Sequence, residues 1–162
     1  MARKPNQELT DLQMLVLRQF RLIYGAVKQH FRDVEKQCGL SGSQVWLLRE
    51  VEASPGTGVS RLAERLSIHQ STCSLLVEKL VGAGLVSKTR SPEDQRRVGL
   101  EVTPAGAQLL NNVPGPAEGL LPEALKQLPA DSLRILNANL DQLINHLTTR
   151  NEHDAEKPLA DL

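Results

Sequence analysis

Residues 59–80, Val-Ser-Arg-Leu-Ala-Glu-Arg-Leu-Ser-Ile-His-Gln-Ser-Thr-Cys-Ser-Leu-Leu-Val-Glu-Lys-Leu, constrain this chain more tightly than any other stretch. Ser60 to Leu66 places Leu62, Ala63 and Leu66 at helical spacing, and Gln70 to Gly82 does the same with Cys73, Leu76, Val77 and Leu80. The link between them, Ser67-Ile68-His69, is so short that the two helices must cross nearly in contact. Each residue type then has a reason. Ala63 is small because the helices meet there, Ile68 plugs the turn, and Cys73, Leu76 and Leu80 pack the second helix onto the first. The pattern predicts a helix-turn-helix. A general helical hairpin with a small residue at its crossing is the plainer alternative, so the next segment decides between them.

That next segment is a hairpin. Val86–Arg90 and Arg97–Val102 read as strands, with Val98, Leu100 and Val102 alternating with Gly99 and Glu101. The loop Ser91-Pro92-Glu93-Asp94-Gln95-Arg96 is polar and contains a proline turn signal. A helix-turn-helix followed at once by a two-stranded wing is a winged helix. Lys88, Arg90, Arg96 and Arg97 gather around that one turn, which suits phosphates or an adjacent minor groove; a solvated charge run is the other reading. On the second motif helix the face away from the core begins with Gln70, Ser71, Thr72 and Ser74. Such short polar side chains can enter a major groove and reach base edges without steric conflict. Arg61, His69 and Lys79 complete the candidate DNA contacts on the two helices, and His69 reads equally well as a plain exposed histidine.

Formal net charge is zero over 162 residues, so the distribution of charge matters more than its sum. Residues 54–102 hold seven Lys/Arg against five acids, whereas residues 103–162 hold four against eight. A local basic face, rather than a global excess, is what phosphate contact needs.

The flanking chain reads as helices. Leu12, Leu15, Val16, Gln19, Phe20, Ile23, Val27, Phe31 and Val34 predict one long helix over 10–37, stopped at Cys38-Gly39. Ser41 or Ser43 opens a second through Ala53, with Val45, Trp46, Leu48 and Val51 inward, and Ser54-Pro55-Gly56-Thr57-Gly58 ends it. Thr103-Pro104 is an N-cap followed by a first-turn proline, and starts a helix to Val113 that Pro114-Gly115-Pro116 interrupts. Pro122 marks another start before Glu123–Leu128. A last amphipathic helix covers 130–149, with Leu133, Leu136, Leu140, Leu143, Ile144 and Leu147 inward, and the polar residues 151–162 read as frayed. Trp46, Tyr24, Phe20 and Phe31 are all the Trp, Tyr and Phe there are, so Leu, Val, Ile and Ala fill the core, which suits packed helices. The predicted fold class is mainly α: a winged helix-turn-helix with a two-stranded β-wing and flanking helices forming a dimerisation region. Its expected division is 9–53 for N-terminal dimerisation and support, 54–103 for DNA binding, 104–149 for C-terminal dimerisation, and flexible tails at 1–8 and 150–162.

With these motifs in place, the chain resembles the MarR family of bacterial regulators. Leu62-Ala63-Glu64-Arg65-Leu66 resembles the family's first motif helix, and Gln70 through Leu80 its recognition helix. Gly84-Leu85-Val86 resembles the start of the family's wing. Pro92-Glu93-Asp94-Gln95-Arg96-Arg97, then Leu100 and Thr103-Pro104-Ala105-Gly106, resemble the wing signature, and Trp46 stands at the family's usual place. The resemblance covers roughly residues 9–148. It implies a homodimer whose terminal helices intertwine and whose two winged domains reach successive major grooves of a pseudo-palindromic site. It also implies that Gln70, Ser71, Thr72 and Ser74 face the major groove, that Arg96 reaches toward the minor groove, and that Asp94 holds Arg96 or the loop in place. Four departures stand out. Ser67 occupies a turn position where glycine is commonest, Gln95 stands where arginine is frequent, and Leu75 lies near the DNA-facing side. Pro114 and Pro116 fall where the family's fifth helix is usually long, and should kink or break it.

The resemblance implies a transcriptional repressor released by a small aromatic or lipophilic effector, with Arg21, Tyr24, His30 and Trp46 around the candidate pocket. Core packing or a surface salt bridge is the competing reading of each. A thiol-switched regulator and a winged-helix interaction module without DNA binding are the alternatives. Cys38 is the candidate redox residue, whereas the spacing of Cys73 makes it a small core residue. His30, His69, His146 and His153 have no metal-ligand spacing. With no phosphate-cradling loop, nucleophile elbow or placed carboxylate pair, the expectation is a non-enzyme without cofactor. Without a signal stretch or a long apolar run, the expected location is the cytoplasm, off the membrane.

Overall fold

The computed structural model describes residues 5–90 and 98–161. Its longest element follows from the apolar stripe at the start of the chain. Helix α1 runs over Pro5–Cys38 and ends where Gly39 takes a left-handed φ of 68°. Helix α2, Gly42–Ala53, opens with a reciprocal cap: the Gln44 N–H donates to the Ser41 hydroxyl, and the Ser41 N–H donates to Gln44 Oε1 at 2.9 Å. Val45, Leu47, Leu48 and Val51 are all fully buried, which makes α2 the central helix of the core. Helices α3, Val59–Leu66, and α4, Gln70–Gly82, pack on it and on each other through Leu62, Leu66, Cys73, Leu76 and Leu80.

The turn between α3 and α4 hinges on Ser67. It adopts a left-handed conformation (φ 53°, ψ 42°), and it is the non-glycine residue to do so among those described. Its N–H reaches the carbonyls of Ala63 and Glu64, while the Ile68 N–H bonds Ala63 O at 3.0 Å and the Ile68 side chain is buried. The serine therefore takes the backbone shape that glycine would supply, so the turn keeps its form and carries steric strain instead. Ser67→Gly is expected to stabilise the protein by about 0.5–1 kcal/mol, the strain relieved less the entropy glycine loses on folding. A higher urea midpoint at unchanged slope is the check, and an unchanged or lower midpoint would refute it.

Strand β1, Val86–Arg90, pairs antiparallel with β2, Val98–Val102, in the register Val86 opposite Val102. The loop after α2 pins this wing to the body. The Gly56 N–H donates to Leu100 O (2.8 Å), and the Leu100 N–H donates to Thr57 O (3.0 Å). A Cβ at position 99 would stand 2.8 Å from the Gly56 carbonyl oxygen, so glycine is what permits this approach. Helix α5, Pro104–Leu110, starts from Thr103, whose hydroxyl accepts from the Gly106 N–H and donates to Gly84 O at 2.7 Å. Helices α6, Leu120–Lys126, and α7, Ala130–Asn145, follow.

Several expectations are corrected. Helix α5 stops at Leu110 rather than Val113, because a residue before proline disfavours helical backbone and Pro114 has no N–H to give. The prolines therefore break the element. The connection crosses α1, where Pro116 O lies 3.1 Å from His30 Nε2. Helix α7 ends at Asn145 rather than near Thr149. Within one chain the apolar faces of α1 and α7 are largely not inward. Leu12, Leu15, Val16, Phe20 and Ile23 are exposed, as are Leu143, Ile144 and Leu147. The tail expected to fray instead forms two 3-10 turns, Glu152–Glu156 and Leu159–Asp161, seated on the body. Ser43 Oγ donates to Asp161 Oδ1 (2.9 Å), the His69 N–H donates to Glu156 O (3.1 Å), and Pro158 is buried. A polar composition concealed the few apolar groups that hold this tail. Among the described residues no helix is long and apolar enough to cross a membrane.

Candidate nucleic-acid interface

Helix α4 has one face committed to the core. Cys73, Leu76, Val77 and Leu80 are buried, and at 100° per residue the opposite side presents Ser71, Leu75 and Glu78. Of the sequence-predicted contacts, Gln70 and Ser71 are exposed, Thr72 and Ser74 are half-buried at the margins, and Lys79 is exposed in the last turn. The start of the helix is more organised than the sequence implied. His69 is the N-cap residue: its Nδ1 accepts from the Ser71 N–H at 3.3 Å and lies 2.7 Å from Ser71 Oγ. Arg61 projects from α3 without burial. Lys88 and Arg90 are exposed on β1. Asp94, Arg96 and Arg97 lie outside the described residues.

Two groups on this surface were not among the predicted contacts. Leu75 is an exposed apolar residue in the middle of the polar face. Glu78 places a carboxylate there as well, and it binds Lys88 Nζ at 2.5 Å. Projecting 70–82 onto a helical wheel identifies both, since Leu75 and Glu78 fall opposite Cys73 and Leu76. The pair Glu78–Lys88 ties α4 to the wing while cancelling one of the wing's positive charges. Arg65, counted in the basic excess, is likewise engaged, with Glu50 at 2.6 Å.

The candidate effector residues are not gathered in one place. Arg21 and Tyr24 are exposed on α1, and Lys28 Nζ lies 5.7 Å from the Tyr24 ring centre. Tyr24 lines a groove of about 350 Å³ with Val27, Phe31 and Leu159. His30 is buried against Phe31 and the Pro116 carbonyl. Trp46 lines a different groove, about 540 Å³, with Leu66, Pro122, Ile144, Arg150 and Leu159. Its indole N–H is buried without a hydrogen-bond partner among the described residues.

Both thiols are less acidic than a free cysteine. Burial pushes Cys73 up to about 11 and raises Cys38 in the same direction. Since the thiolate is the nucleophile, neither environment activates sulfur. Cys73 Sγ lies 3.6 Å from the Val59 carbonyl, inside the helix-turn-helix core. At pH 8 iodoacetamide is expected to modify Cys38 slowly and Cys73 only after unfolding, as read by intact mass; rapid native labelling of Cys73 would contradict its burial. A raised folded-state value also fixes the pH dependence. The contribution of Cys73 to stability is complete below its unfolded value of 9.0 and is lost as pH rises through about 11, because the unfolded thiol ionises first. Among the described residues, no group of three or more His, Cys, Asp or Glu is placed to hold a metal ion.

Comparison with known proteins places this geometry. Residues 40–98 match the MarR family model. A protein of Thauera aromatica assigned to transcriptional regulation of the hcr operon is 28% identical over 134 residues, 82% of this chain and 76% of that one. The HTH-type transcriptional repressor MdtR of Bacillus subtilis is 26% identical over 101 residues, 62% of this chain and 63% of that protein. Among solved structures, a mutant MarR from E. coli complexed with operator DNA superposes with a TM-score of 0.52 at 21% identity, covering 79% of this chain and 94% of that one. That last likeness is one of fold.

Proposed function

We propose that this chain, whose residues 40–98 match the MarR family model, is a winged-helix transcriptional regulator of that family and that it acts as a homodimeric repressor on a pseudo-palindromic operator, released by a small aromatic or lipophilic effector. The observation that carries the reading is the exposed start of α4. His69 caps the helix, and Gln70 and Ser71 are exposed beside it, with the wing next to α4. A helix end bearing short polar groups can seat in a major groove, with helix-terminal amides and wing cations meeting phosphates. Repression follows from covering a promoter. The MdtR likeness supports that direction. For the effector, the groove beside Trp46 has a volume in the range of small-molecule sites and an apolar wall of Leu66, Pro122, Ile144 and Leu159. Its cations Arg150 and Lys157 are paired with Glu152 and Asp154 on the same wall, which suits a lipophilic ligand better than an anionic one. Release requires that the effector bind one spacing of the two winged domains better than the other.

The test is selection from a random DNA library, followed by affinity at several salt concentrations. The expected result is an enriched pseudo-palindrome with half-sites about one helical turn apart and a log–log salt dependence that is steep. Weak, salt-insensitive or sequence-blind binding would instead favour a protein-interaction module. Within that assay, Gln70→Ala is expected to change base preference. Arg96→Ala is expected to weaken all sequences alike and to reduce the salt slope by about 1. Equal losses from both variants on every sequence would refute base readout by α4.

A further inference from the structure

We propose that Leu75 recognises the 5-methyl group of a thymine in each half-site, an inference that rests on α4 being the DNA-reading helix. Leu75 is 66% exposed, beyond even Tyr24 at 65% and Leu22 at 64% on α1. The exposed apolar groups of α1 and α7 form stripes that continue along their helices. Leu75 belongs to no stripe. One turn before it stands Ser71, and one turn after it stand Glu78 and Lys79, all exposed and polar. A protein partner needs a contiguous apolar patch, and among the described residues α4 exposes no large apolar side chain besides Leu75. What fits is a partner with a single apolar group in a polar field.

The major groove offers such a group. Thymine presents its C5 methyl there beside the acceptor O4, and no other base carries an apolar substituent on that edge. Leu75 is in the middle of a 13-residue helix, on the side opposite Cys73, Leu76 and Leu80. That is the side which enters the groove if Ser71 does. Ser71 and Ser74 are short, so the helix can approach closely enough for carbon–carbon contact. Glu78, one turn further, is the one acid on the exposed face of α4, and Lys88 Nζ holds its carboxylate at 2.5 Å. The face is thus electrically tolerable to DNA, and its central contact is apolar. Leu75 therefore sets specificity at a thymine, whereas the polar residues before it read the outer bases.

Deoxyuridine differs from thymidine only by this methyl and pairs identically, so it isolates the contact. The experiment replaces each thymine of the selected operator in turn, symmetrically in both half-sites, and measures binding by wild type and by Leu75→Ala. The expected result is one symmetric position where deoxyuridine weakens the wild type about fourfold per half-site, or about fifteenfold for both. At that position Leu75→Ala shows no further loss. Because Leu75 is exposed, the variant is expected to melt with the wild type, which circular dichroism checks. An operator without any methyl-sensitive thymine, or a penalty that persists unchanged in Leu75→Ala, overturns the inference while leaving the regulator reading intact. A wild type that selects no DNA at all overturns the reading itself, and the inference with it.

Discussion

Leu80→Ala is expected to cost about 2–5 kcal/mol of stability and, with it, most DNA binding at growth temperature. Leu80 is fully buried in the last turn of α4, where that helix meets α2 and β1. Truncation removes the apolar transfer energy of three carbons and leaves a cavity. Leu76 and Val77, one turn earlier on α4, and the buried faces of α2 and β1 belong to one close-packed core and cannot collapse into it fully. A domain of this size holds roughly 5–15 kcal/mol in total, so one such cavity consumes a large share. The same substitution five residues earlier gives the contrast. Leu75→Ala removes the same atoms from the same helix but from a surface already in water, and is expected to fall within about 0.5 kcal/mol of wild type. Urea unfolding of both variants checks the pair. Equal midpoints would show that α4 does not present the faces assigned to it.

That contrast also marks what was legible in the sequence. Cys73, Leu76 and Leu80 could be assigned inward because their spacing has the helical period, and Ala63 and Ile68 because a three-residue link leaves little room at the crossing. The wing was readable from the alternation at Val98, Leu100 and Val102. Its attachment to Gly56 and Thr57 was not, since a bridge between a loop and a strand leaves no periodic trace. Ser67 illustrates a different limit. Serine stands where glycine is commonest, yet the tertiary fit of α3 on α4 imposes the left-handed conformation on it regardless. In the interface, single polar residues were legible one at a time, but not the bonds among them. His69 and Ser71 are paired with each other, and Glu78 with Lys88, because helix and wing approach in space. The candidate pocket was the least legible part. Tyr24 and Trp46 line separate grooves, because the tail carrying Leu159 lies between them, and its polar sequence carried no sign of a docked segment.

Ile23→Asp is expected to yield monomers and to weaken binding to the intact operator about 10²–10⁴-fold, the loss that follows when two linked half-site contacts become independent. The reason lies in how one stripe on α1 changes environment along its length. Val34 is 1% exposed against the core, and Phe31 and Val27 are half-buried. From Ile23 back through Phe20, Val16, Leu12 and Leu9 the same face is 40–56% exposed. The period does not change where the burial does. A sequence that keeps Leu, Val, Phe and Ile on one face over that distance has a second surface to cover, and α7 carries its own exposed row at Leu143, Ile144 and Leu147. A second copy supplies both faces at once, by two-fold symmetry, and symmetric dimers are the commonest oligomers. Aspartate in the middle of that seam must be buried charged and unpaired, twice, across the symmetry axis. Because Ile23 is exposed within its own chain, the variant is expected to keep native helicity and to bind an isolated half-site as weakly as the wild type does. Sedimentation velocity separates the outcomes. A variant that sediments as a dimer of wild-type affinity would place the interface elsewhere and leave the exposed stripe of α1 to a different partner.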